Sequence, residues 1–527
     1  MSKHLLLNLA IATMLGSSLQ ANATVWFVKA NASGDGSSWQ QAAGNIDDVI
    51  AKASAGDEIW IASGTYKPTN LIRSNKADSR AFTLKDGVSL YGGFAGSETS
   101  LSERAMGSKP YEFINETILS GDDDVEDVWT RNFQNGSDYQ YAYDTENDII
   151  PGTRHNANHV LYGGTDVLLN PTVIDGLTLT GGNAMEWKVK AAGGALYAIG
   201  NVRLNACKVI KNSAYFKVQS MTNSDTNGGG VYLDGSDVIG AAITNCYFES
   251  NYSHSSYGNG LGGAAWTRNV TIDGCEFVDN VALDNGGSLY AKGGTLKNST
   301  FTGSYGSIGG AVYIEDASVE ACKVFDCRGL QGGGVYAYGG TIKNSIIASC
   351  TADTKLYGDD QGGQGGGIYN RGALINNVAV YNNTAFVGGG VYMNTGTMTK
   401  STVQNNTIRS TTAEVNVGYS ANSSDTDVTL SIVDDKVDAD NFINPTHFYG
   451  PATLTAELDE IKGADWNLSK SSVLKGTGFS METTATGIRG LHSTRVKNES
   501  VYNIGGQKVR KATKGIFIIG NKKVVIR

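Results

Sequence analysis

A five-residue motif recurs along the middle of this chain, and its spacing constrains the fold more than any other feature. The motif consists of two glycines, a small residue, an aliphatic residue and an aromatic residue. Its aromatic residues are Tyr197, Tyr232, Trp266, Tyr290, Tyr313, Tyr336, Tyr369 and Tyr392. Successive aromatic positions lie 35, 34, 24, 23, 23, 33 and 23 residues apart. A period near 23 residues predicts a solenoid in which each repeat forms one coil.

A second strand follows each motif and shows the alternation of a half-buried strand. It begins with a small residue, at Cys207, Cys246, Cys275, Ser299, Cys322, Ser345, Val378 and Ser401. An apolar residue stands two positions later, at Val209, Phe248, Phe277, Phe301, Val324, Ile347, Val380 and Val403. Because alternate residues of a strand point to opposite sides, both positions are predicted to face the interior. In the motif itself, the aliphatic residue is predicted to face inward and the aromatic residue outward.

A polar position closes most of these second strands. It is occupied by Asn212, Asn251, Asn280, Ser304, Cys327, Cys350, Asn383 and Asn406. An amide at a buried turn can hydrogen-bond the backbone and the amide of the next coil. We therefore predict a ladder of stacked asparagines, interrupted where Ser or Cys replaces them.

One such unit cannot bury its apolar face alone, whereas a stack of like coils can. Parallel crossover connections are right-handed in nearly all proteins. The predicted fold class is therefore all-β, a right-handed parallel β-helix solenoid with an N-terminal cap (a strand plus a short helix) and a β-rich C-terminal tail. Ile46, Val49, Ile50 and Ala53 recur at helical spacing and mark the helix of that cap.

The predicted segments follow from these patterns. They are a signal peptide at 1–23, an N-terminal cap and first coils with a loop-rich excursion at 24–160, β-helix repeats at 161–410, last coils and a C-terminal cap at 411–490, and a basic tail at 491–527. Residues 97–158 form the irregular, polar part of the second segment.

The N-terminus has the features of a secretory signal. Lys3 supplies positive charge, an apolar stretch runs from Leu5 to Leu15, and Ala21-Asn22-Ala23 is a small-x-small cleavage site. A buried N-terminal helix is the alternative interpretation. No later segment of the sequence approaches a membrane span. The formal net charge of −9 argues against nucleic acid as a partner.

The repeats resemble two groups of known proteins. The chain resembles right-handed β-helix proteins of the pectate-lyase-like superfamily, and more closely the repeats of polymorphic outer-membrane proteins. The signature of the latter pairs GGA-aliphatic with FxxN, which here stand at residues 309–312, 248–251 and 277–280. The resemblance covers roughly residues 160–410 and implies the fold. Proteins of these groups include adhesins, surface proteins and polysaccharide-degrading enzymes, so several functions remain open.

The C-terminal tail is basic and rich in strand-forming residues. It contains the runs Val501–Val509, Lys514–Ile519 and Lys522–Arg527. It resembles the end of a type IX secretion sorting domain of the Bacteroidetes, although only about thirty residues correspond. The resemblance implies export through that secretion machinery and display at the outer membrane. A terminal hairpin without a sorting role is the alternative.

The cysteines, one pair of histidines and one acidic run are the residues that bear on disulfides and metal sites. Cys327 and Cys350 occupy one position on consecutive coils and are a candidate disulfide, whereas the other four cysteines fill an inward packing slot. His155 and His159 stand four apart without the Glu of a zinc-protease motif, so a structural turn is favoured. Residues 122–124 with Asp127 could bind calcium, but a solvated acidic loop is favoured. No metal site is predicted, and calcium is the one cofactor that the sequence leaves open.

Candidate functional residues lie in the loops that lengthen three of the repeats, at 213–227, 252–261 and 351–364. The candidate ligand-binding residues are Tyr215, Phe216, Tyr252, Tyr257 and Tyr357, because exposed aromatic rings suit the apolar faces of sugars. Asp359 and Asp360 are weak catalytic candidates. The aromatic column from Tyr197 to Tyr392 is a further sugar-binding candidate, with self-stacking as the favoured alternative.

These observations predict an exported, cell-surface β-helix protein that acts as a non-catalytic adhesin-like or glycan-binding scaffold. Its expected partners are a polysaccharide, or a glycan or protein of a host or cell surface. The alternative is a polysaccharide lyase or glycoside hydrolase of the pectate-lyase-like superfamily. A purely structural surface filament is a third interpretation.

Overall fold

The computed structural model describes most of the chain from residue 23 onward. The described residues are 23–129, 150–185, 191–216, 225–255, 259–353 and 363–408, followed by 417–419, 426–430, 442–446, 450–452, 455–470, 472, 501–503, 508–509, 515–519 and 522–526. They show the predicted architecture, a parallel β-helix in which strands of successive coils pair in parallel. No helix within these ranges is long and apolar enough to cross a membrane.

Each coil contributes strands to three parallel sheets, named here the first, second and third face. The first face contains the motif strands and consists of Phe82–Thr83, Leu161–Tyr162, the start of Leu196–Asn205, Val231–Asp234, Ala265–Arg268, Leu289–Lys292, Val312–Glu315, Val335–Tyr338, the starts of Ile368–Asn376 and Val391–Gln404, and Val417–Tyr419.

The second face begins with the N-terminal strands. It consists of Val25–Val28, Glu58–Ala62, Ser89–Phe94, Leu168–Asp175, the end of Leu196–Asn205, Ala242–Thr244, Thr271–Asp273, Thr295–Lys297, Ser318–Glu320, Thr341–Lys343, the end of Ile368–Asn376, the middle of Val391–Gln404, and Thr426–Leu430.

The third face carries the strands that begin after the small-residue slot. It consists of Gly64–Tyr66, Thr117–Ser120, Leu177–Thr180, Lys208–Ile210, Tyr247–Glu249, Glu276–Val278, Thr300–Thr302, Lys323–Phe325, Ile346–Ala348, Ala379–Tyr381 and the end of Val391–Gln404.

Short strands at the turn after the third face form smaller parallel sheets. These are Asn183–Ala184, Ser213–Phe216, Tyr252–Ser255 and Val281–Ala282, then Arg328–Gly329, Thr351–Ala352, Thr384–Ala385 and Thr407–Ile408, and separately Thr226–Asn227 with Gly260–Leu261.

The pairing register confirms the alignment of the repeats. Tyr290 pairs with Tyr313, and Tyr313 pairs with Tyr336, on the first face. On the third face Phe277 pairs with Phe301, and their stacked rings lie 4.5 Å apart inside the coil. Like residues therefore lie one above another, as the repeat spacing predicts.

The asparagine ladder is also confirmed. The backbone N–H and the side-chain amide of Asn251 both donate to Oδ1 of Asn280, at 3.0 Å each, and the amide of Asn251 also donates to Val209 O at 2.8 Å. The same pattern joins Asn383 to Asn406. The residue before each ladder position takes a left-handed conformation, with φ of 59° at Asp279, and this bend turns the chain out of the third face.

The N-terminal cap has the predicted strand and helix. The helix runs Ile46–Lys52, and the side chain of its N-cap residue Asn45 accepts a hydrogen bond from Asp47 N. Ile46, Val49 and Ile50 are buried against the interior of the first coils. The excursion is more ordered than its composition indicates, because Thr117–Ser120 inserts between Gly64–Tyr66 and Leu177–Thr180 in the third face.

The described part of the predicted C-terminal cap lies along the third face, where it touches coils in the middle of the stack. It contains an antiparallel pair, Phe442–Asn444 with Asp465–Leu468, and the helix Thr455–Gly463. We call residues 442–470 the strap. Its apolar side chains find apolar partners that face outward on the third face, such as Val278 and Phe325.

Residues 481–527 form a second compact unit. Within it the described strands make one antiparallel sheet in the order Lys508–Val509, Val501–Asn503, Gly515–Ile519, Lys522–Ile526. The hydrophobic runs of the tail are thus strands of one sheet.

Candidate functional site

The aromatic residues predicted to bind glycans are placed differently from expectation. Tyr215 and Tyr252 are buried, with 3% and 0% of their surface exposed, and pack with Ile150, Val281 and Tyr305. Residues of the excursion cover them, which the repeat pattern did not reveal. Phe216 ends the strand Ser213–Phe216. Tyr257, Tyr357, Asp359 and Asp360 lie outside the described residues.

The aromatic column of the first face stacks on itself, which confirms the favoured alternative. Neighbouring rings such as Tyr313 and Tyr336 lie 5.0 Å apart and nearly parallel. Tyr336 is only 5% exposed, and burial raises the pKa of Tyr313 to about 12. The flat faces of these rings are occupied by their neighbours, so this column offers no sugar platform.

The six cysteines are free and buried thiols in the structure. Cys246 fills the predicted small-residue slot, where its Sγ accepts a hydrogen bond from Cys207 N and donates to Thr244 O at 3.2 Å. Cys327 and Cys350 form no disulfide here: their thiols donate to Phe325 O and Ala348 O, at 3.0 Å and 3.3 Å. These bonds direct each thiol back to its own turn.

The histidines and acidic loop have local structural partners. The ring of His159 is buried and stacks on Tyr162 at 5.2 Å, its Nδ1 lies 2.9 Å from Gly193 O, and burial lowers its pKa to about 4. Asp127 accepts a hydrogen bond from Asn156, and burial raises its pKa to about 6. Among the described residues no group of three or more His, Cys, Asp or Glu side chains is arranged to hold a metal.

A cleft of about 340 Å³ lies between the third face and the strap. Its floor is formed by outward-facing residues of three consecutive coils, and its opposite wall by the end of the strap helix and the strand that follows. The residues that line it are Lys109, Glu276, Phe277, Val278, Thr300, Thr302, Lys323, Phe325, Ile461, Lys462, Ala464, Asp465, Trp466 and Asn467.

On one side of the cleft, lysine and tyrosine side chains bind the carboxylates of Glu276 and Glu249. Both oxygens of Glu276 are used, by Lys109 Nζ at 2.6 Å and by the Tyr111 hydroxyl at 2.9 Å. The Tyr111 ring stacks on Tyr247 at 5.1 Å. The Tyr247 hydroxyl donates to Glu249, which also pairs with Lys462 of the strap at 2.9 Å. Burial, together with the charge and hydrogen bond of Glu249, raises the pKa of Tyr247 well above its usual value.

Lys323 differs from the other two lysines of the cleft. It projects from the third face one coil beyond Thr300 and is half-buried. Within the described residues its ammonium has no ion pair or hydrogen bond, whereas Lys109 and Lys462 each pair with a glutamate. Burial lowers the pKa of Lys323, and the negative charges of Glu276 and Asp465 oppose this shift.

Trp466 supplies a second unsatisfied donor. Its indole ring lies flat on Phe325, with centroids 4.4 Å apart, and Phe442 packs against its edge at 5.3 Å. The ring is 8% exposed, and its buried Nε1–H has no hydrogen-bond partner among the described residues. Leaving such a group unpaired costs about 1–3 kcal/mol, which an acceptor atom from a ligand would recover.

The lining of the cleft therefore includes an apolar wall, a lysine without an ion pair, a tryptophan whose buried N–H is unpaired among the described residues, and the carboxylate of Asp465. Asp465 Oδ1 accepts a hydrogen bond from Asn467 N at 3.0 Å. Binding pockets for small molecules typically have this composition, apolar walls with a few convergent polar groups. Trp466 lies in the segment predicted as the last coils and C-terminal cap, but nothing in the sequence shows that this segment packs beside Lys323.

Comparisons with known proteins give only distant matches to solved structures. No family model and no curated protein matches the chain. A solved pectate lyase is 12% identical, covers 85% of this chain and 90% of its own, and superposes with a TM-score of 0.28. A rhamnogalacturonan lyase is 12% identical, covers 80% and 91%, and gives 0.34. A polygalacturonase from Erwinia carotovora is 10% identical, covers 78% and 96%, and gives 0.26.

With TM-scores below 0.5, these matches assign neither a superfamily nor an activity to this chain. The parallel pairing of its own strands establishes the fold.

Proposed function

We propose that this protein is an exported β-helix scaffold, displayed at the cell surface, that binds carbohydrate in the cleft between the third face and the strap and does not catalyse a reaction. The observation that carries this proposal is the pair of unsatisfied donors, Lys323 Nζ and Trp466 Nε1–H, in one cleft. Its volume of about 340 Å³ is at the lower end of the range for ligand pockets and suits one or two sugar rings.

The non-catalytic form of the proposal rests on the state of the carboxylates. Cleavage of a glycosidic bond by hydrolysis generally uses two carboxyl groups that flank the bond, one of them as an acid. Glu276 and Glu249 are both held by a lysine and a tyrosine hydroxyl. Carboxylates held in this way are positioned for structure rather than for proton transfer.

A polysaccharide lyase is the second candidate function, and one observation favours it. Lys323 has a lowered pKa and no paired carboxylate, as a lysine that abstracts a proton would need. Asp359 and Asp360 are the alternative catalytic candidates from the sequence.

The two functions are separated by one experiment. The purified protein is incubated with a panel of neutral and acidic polysaccharides, with and without calcium, and binding and chain cleavage are both measured. Binding without new unsaturated or reducing ends is the expected result. Cleavage that disappears in Lys323→Gln would establish the lyase, and cleavage that disappears only in Asp359→Ala/Asp360→Ala would place catalysis in the loop.

Surface display rests on the two ends of the chain. The signal-like N-terminus and the basic tail at 491–527 support export followed by sorting. Removing residues 491–527 is expected to leave the protein in the periplasm, which protease accessibility on intact cells would measure. Unchanged surface exposure would refute the sorting role.

A further inference from the structure

We infer that the strap and the third face share one anion-binding subsite, so that an acidic saccharide bridges Lys323 and Trp466 and thereby fastens the strap to the coils. This inference rests on the proposed function and adds the class of ligand and its effect on the protein.

Two of the three lysines of the cleft are already paired. Lys109 and Lys462 already neutralise Glu276 and Glu249. Lys323 is the remaining cation of the lining. Its ammonium forms no ion pair within 4 Å among the described residues, and the charges of Glu276 and Asp465 act on it from further away. A half-buried ammonium without a counter-ion is unfavourable, and an anionic ligand oxygen is the group that compensates it best.

The second donor selects the same kind of ligand atom. The indole N–H of Trp466 can only donate, and it is buried without a partner among the described residues. A carboxylate or a sulfate offers several acceptor oxygens, so that one group could accept from both Lys323 and Trp466. The free capacity of Asp465 would accept from a sugar hydroxyl and so orient the ring.

The two donors belong to different parts of the chain, and this makes the site conditional on the strap. Lys323 is part of a coil, whereas Trp466 belongs to the strap. The described attachments of the strap include the packing of Trp466 and Phe442 on Phe325, the apolar contact of Ile461 with Val278, the ion pair of Lys462, and hydrogen bonds to Asp279 and Asp326.

A ligand held by both parts must stabilise the docked strap. A ligand that binds only the docked arrangement shifts the equilibrium toward it by mass action. Amide protons of the strap helix, Thr455–Gly463, should then exchange more slowly in the presence of ligand.

The experiment uses the mature full-length chain and three probes of equal length: a hexuronate oligosaccharide, a sulfated oligosaccharide and a neutral one. Calorimetry measures affinity, and hydrogen exchange with mass spectrometry measures protection in residues 455–468. We expect at least one acidic probe to bind roughly tenfold more tightly than the neutral probe, and to slow exchange in the strap. Which acidic probe binds distinguishes a carboxylate from a sulfate.

Two substitutions test the bridge. Lys323→Gln should remove the preference for the acidic probe, and Trp466→Phe, which keeps a ring on Phe325 but removes the N–H, should weaken acidic binding and reduce strap protection. The control is Lys343→Gln on the second face, where the lysine pairs with Glu320 away from the cleft; it should bind like the wild type.

Each failure has a distinct meaning. Equal affinity for neutral and acidic probes would overturn this inference and leave carbohydrate binding intact. An acidic preference that survives in Lys323→Gln, or acidic binding without added strap protection, would also overturn it. Absence of binding to every probe would refute both the inference and the proposed function.

Discussion

The outward sides of the first and third faces are built from the same coils but differ in how their side chains are satisfied. On the first face one column is aromatic in every repeat, so that each ring stacks on the ring above and below. On the third face the corresponding column changes from coil to coil, through Tyr247, Glu276, Thr300 and Lys323.

The difference shows where a solenoid can acquire function. In a column of like residues, each side chain packs on its neighbours in the column and has no free surface for a ligand. In a column of unlike residues, the side chains need partners from other segments, and here these come from the strap and from Lys109 and Tyr111 of the excursion. Where the partners are incomplete, as at Lys323, a ligand can complete them.

The largest expected effect comes from breaking the self-satisfied column. Tyr336→Ala removes a ring that is 5% exposed and stacked between Tyr313 and Tyr369, and should lower the free energy of unfolding by about 3 kcal/mol. Denaturant unfolding measures it. Tyr338→Ala is the control, because that ring is 41% exposed on the same strand; similar losses in both would show that stacking is not what stabilises the column.

The asparagine ladder should show the next largest effect, because its buried amides join successive coils at the turn after the third face. Asn251→Ala leaves Asn212 and the buried carbonyl of Val209 without their partner amide, and should destabilise the fold by about 2 kcal/mol. Asn376→Ala, at an exposed position of the second face bonded to Thr399, should change stability by less than about 0.5 kcal/mol. Equal effects at the two sites would contradict the role of the buried ladder.

On the third face, a substitution should increase rather than decrease the free energy of unfolding. Lys323→Met removes a half-buried charge without a counter-ion and should raise the free energy of unfolding by about 1 kcal/mol at neutral pH, while it weakens binding of acidic saccharides. Greater stability together with lost binding would identify Lys323 as a residue kept for its ligand. A destabilised variant would indicate that the ammonium has a structural partner.

The pH dependence of the stability gained in Lys323→Met tests independently whether the buried charge causes that gain. Burial lowers the pKa of Lys323 in the folded chain, so the folded protein holds this proton less tightly than the unfolded chain does. The resulting penalty is complete below the folded pKa and disappears as the pH rises past the unfolded value near 10.4. The stability difference between the wild type and Lys323→Met should therefore shrink in alkaline buffer, and a constant difference would exclude the charge as its cause.

The smallest effect is expected on the second face, where charges alternate along one column. Lys297→Met breaks an ion pair with Asp273 of 3.2 Å, in which both side chains are more than a third exposed or nearly so. Solvent screening should limit the loss to about 0.5 kcal/mol or less. A larger loss, measured at low and high salt, would show that the alternating column acts as a network.

The sequence predicts the repeated parts of this molecule and the strand and helix of the N-terminal cap, but not the long-range contacts that occur once. The period aligned Tyr290 with Tyr313 and placed Asn251 over Asn280, because each coil repeats the contacts of the one before. The burial of Tyr215 and Tyr252 depends on residues of the excursion, and the cleft depends on the return of Trp466 to Phe325. Such contacts join residues from 65 positions apart, for Ile150 and Tyr215, to 141 positions apart, for Phe325 and Trp466, and no periodicity records them.

The regular 23-residue interval between Tyr290, Tyr313 and Tyr336 affects how the number of repeats can change during evolution. Duplication or loss of one such interval would leave the aromatic column of the first face continuous. It would nevertheless displace every later residue by about 4.8 Å along the axis of the stack. The stack tolerates such changes of length, but Glu276 and Lys323 lie two coils apart on the floor of one cleft only if the number of coils between them is conserved. Homologues that differ in length within that stretch should therefore have lost or relocated this cleft.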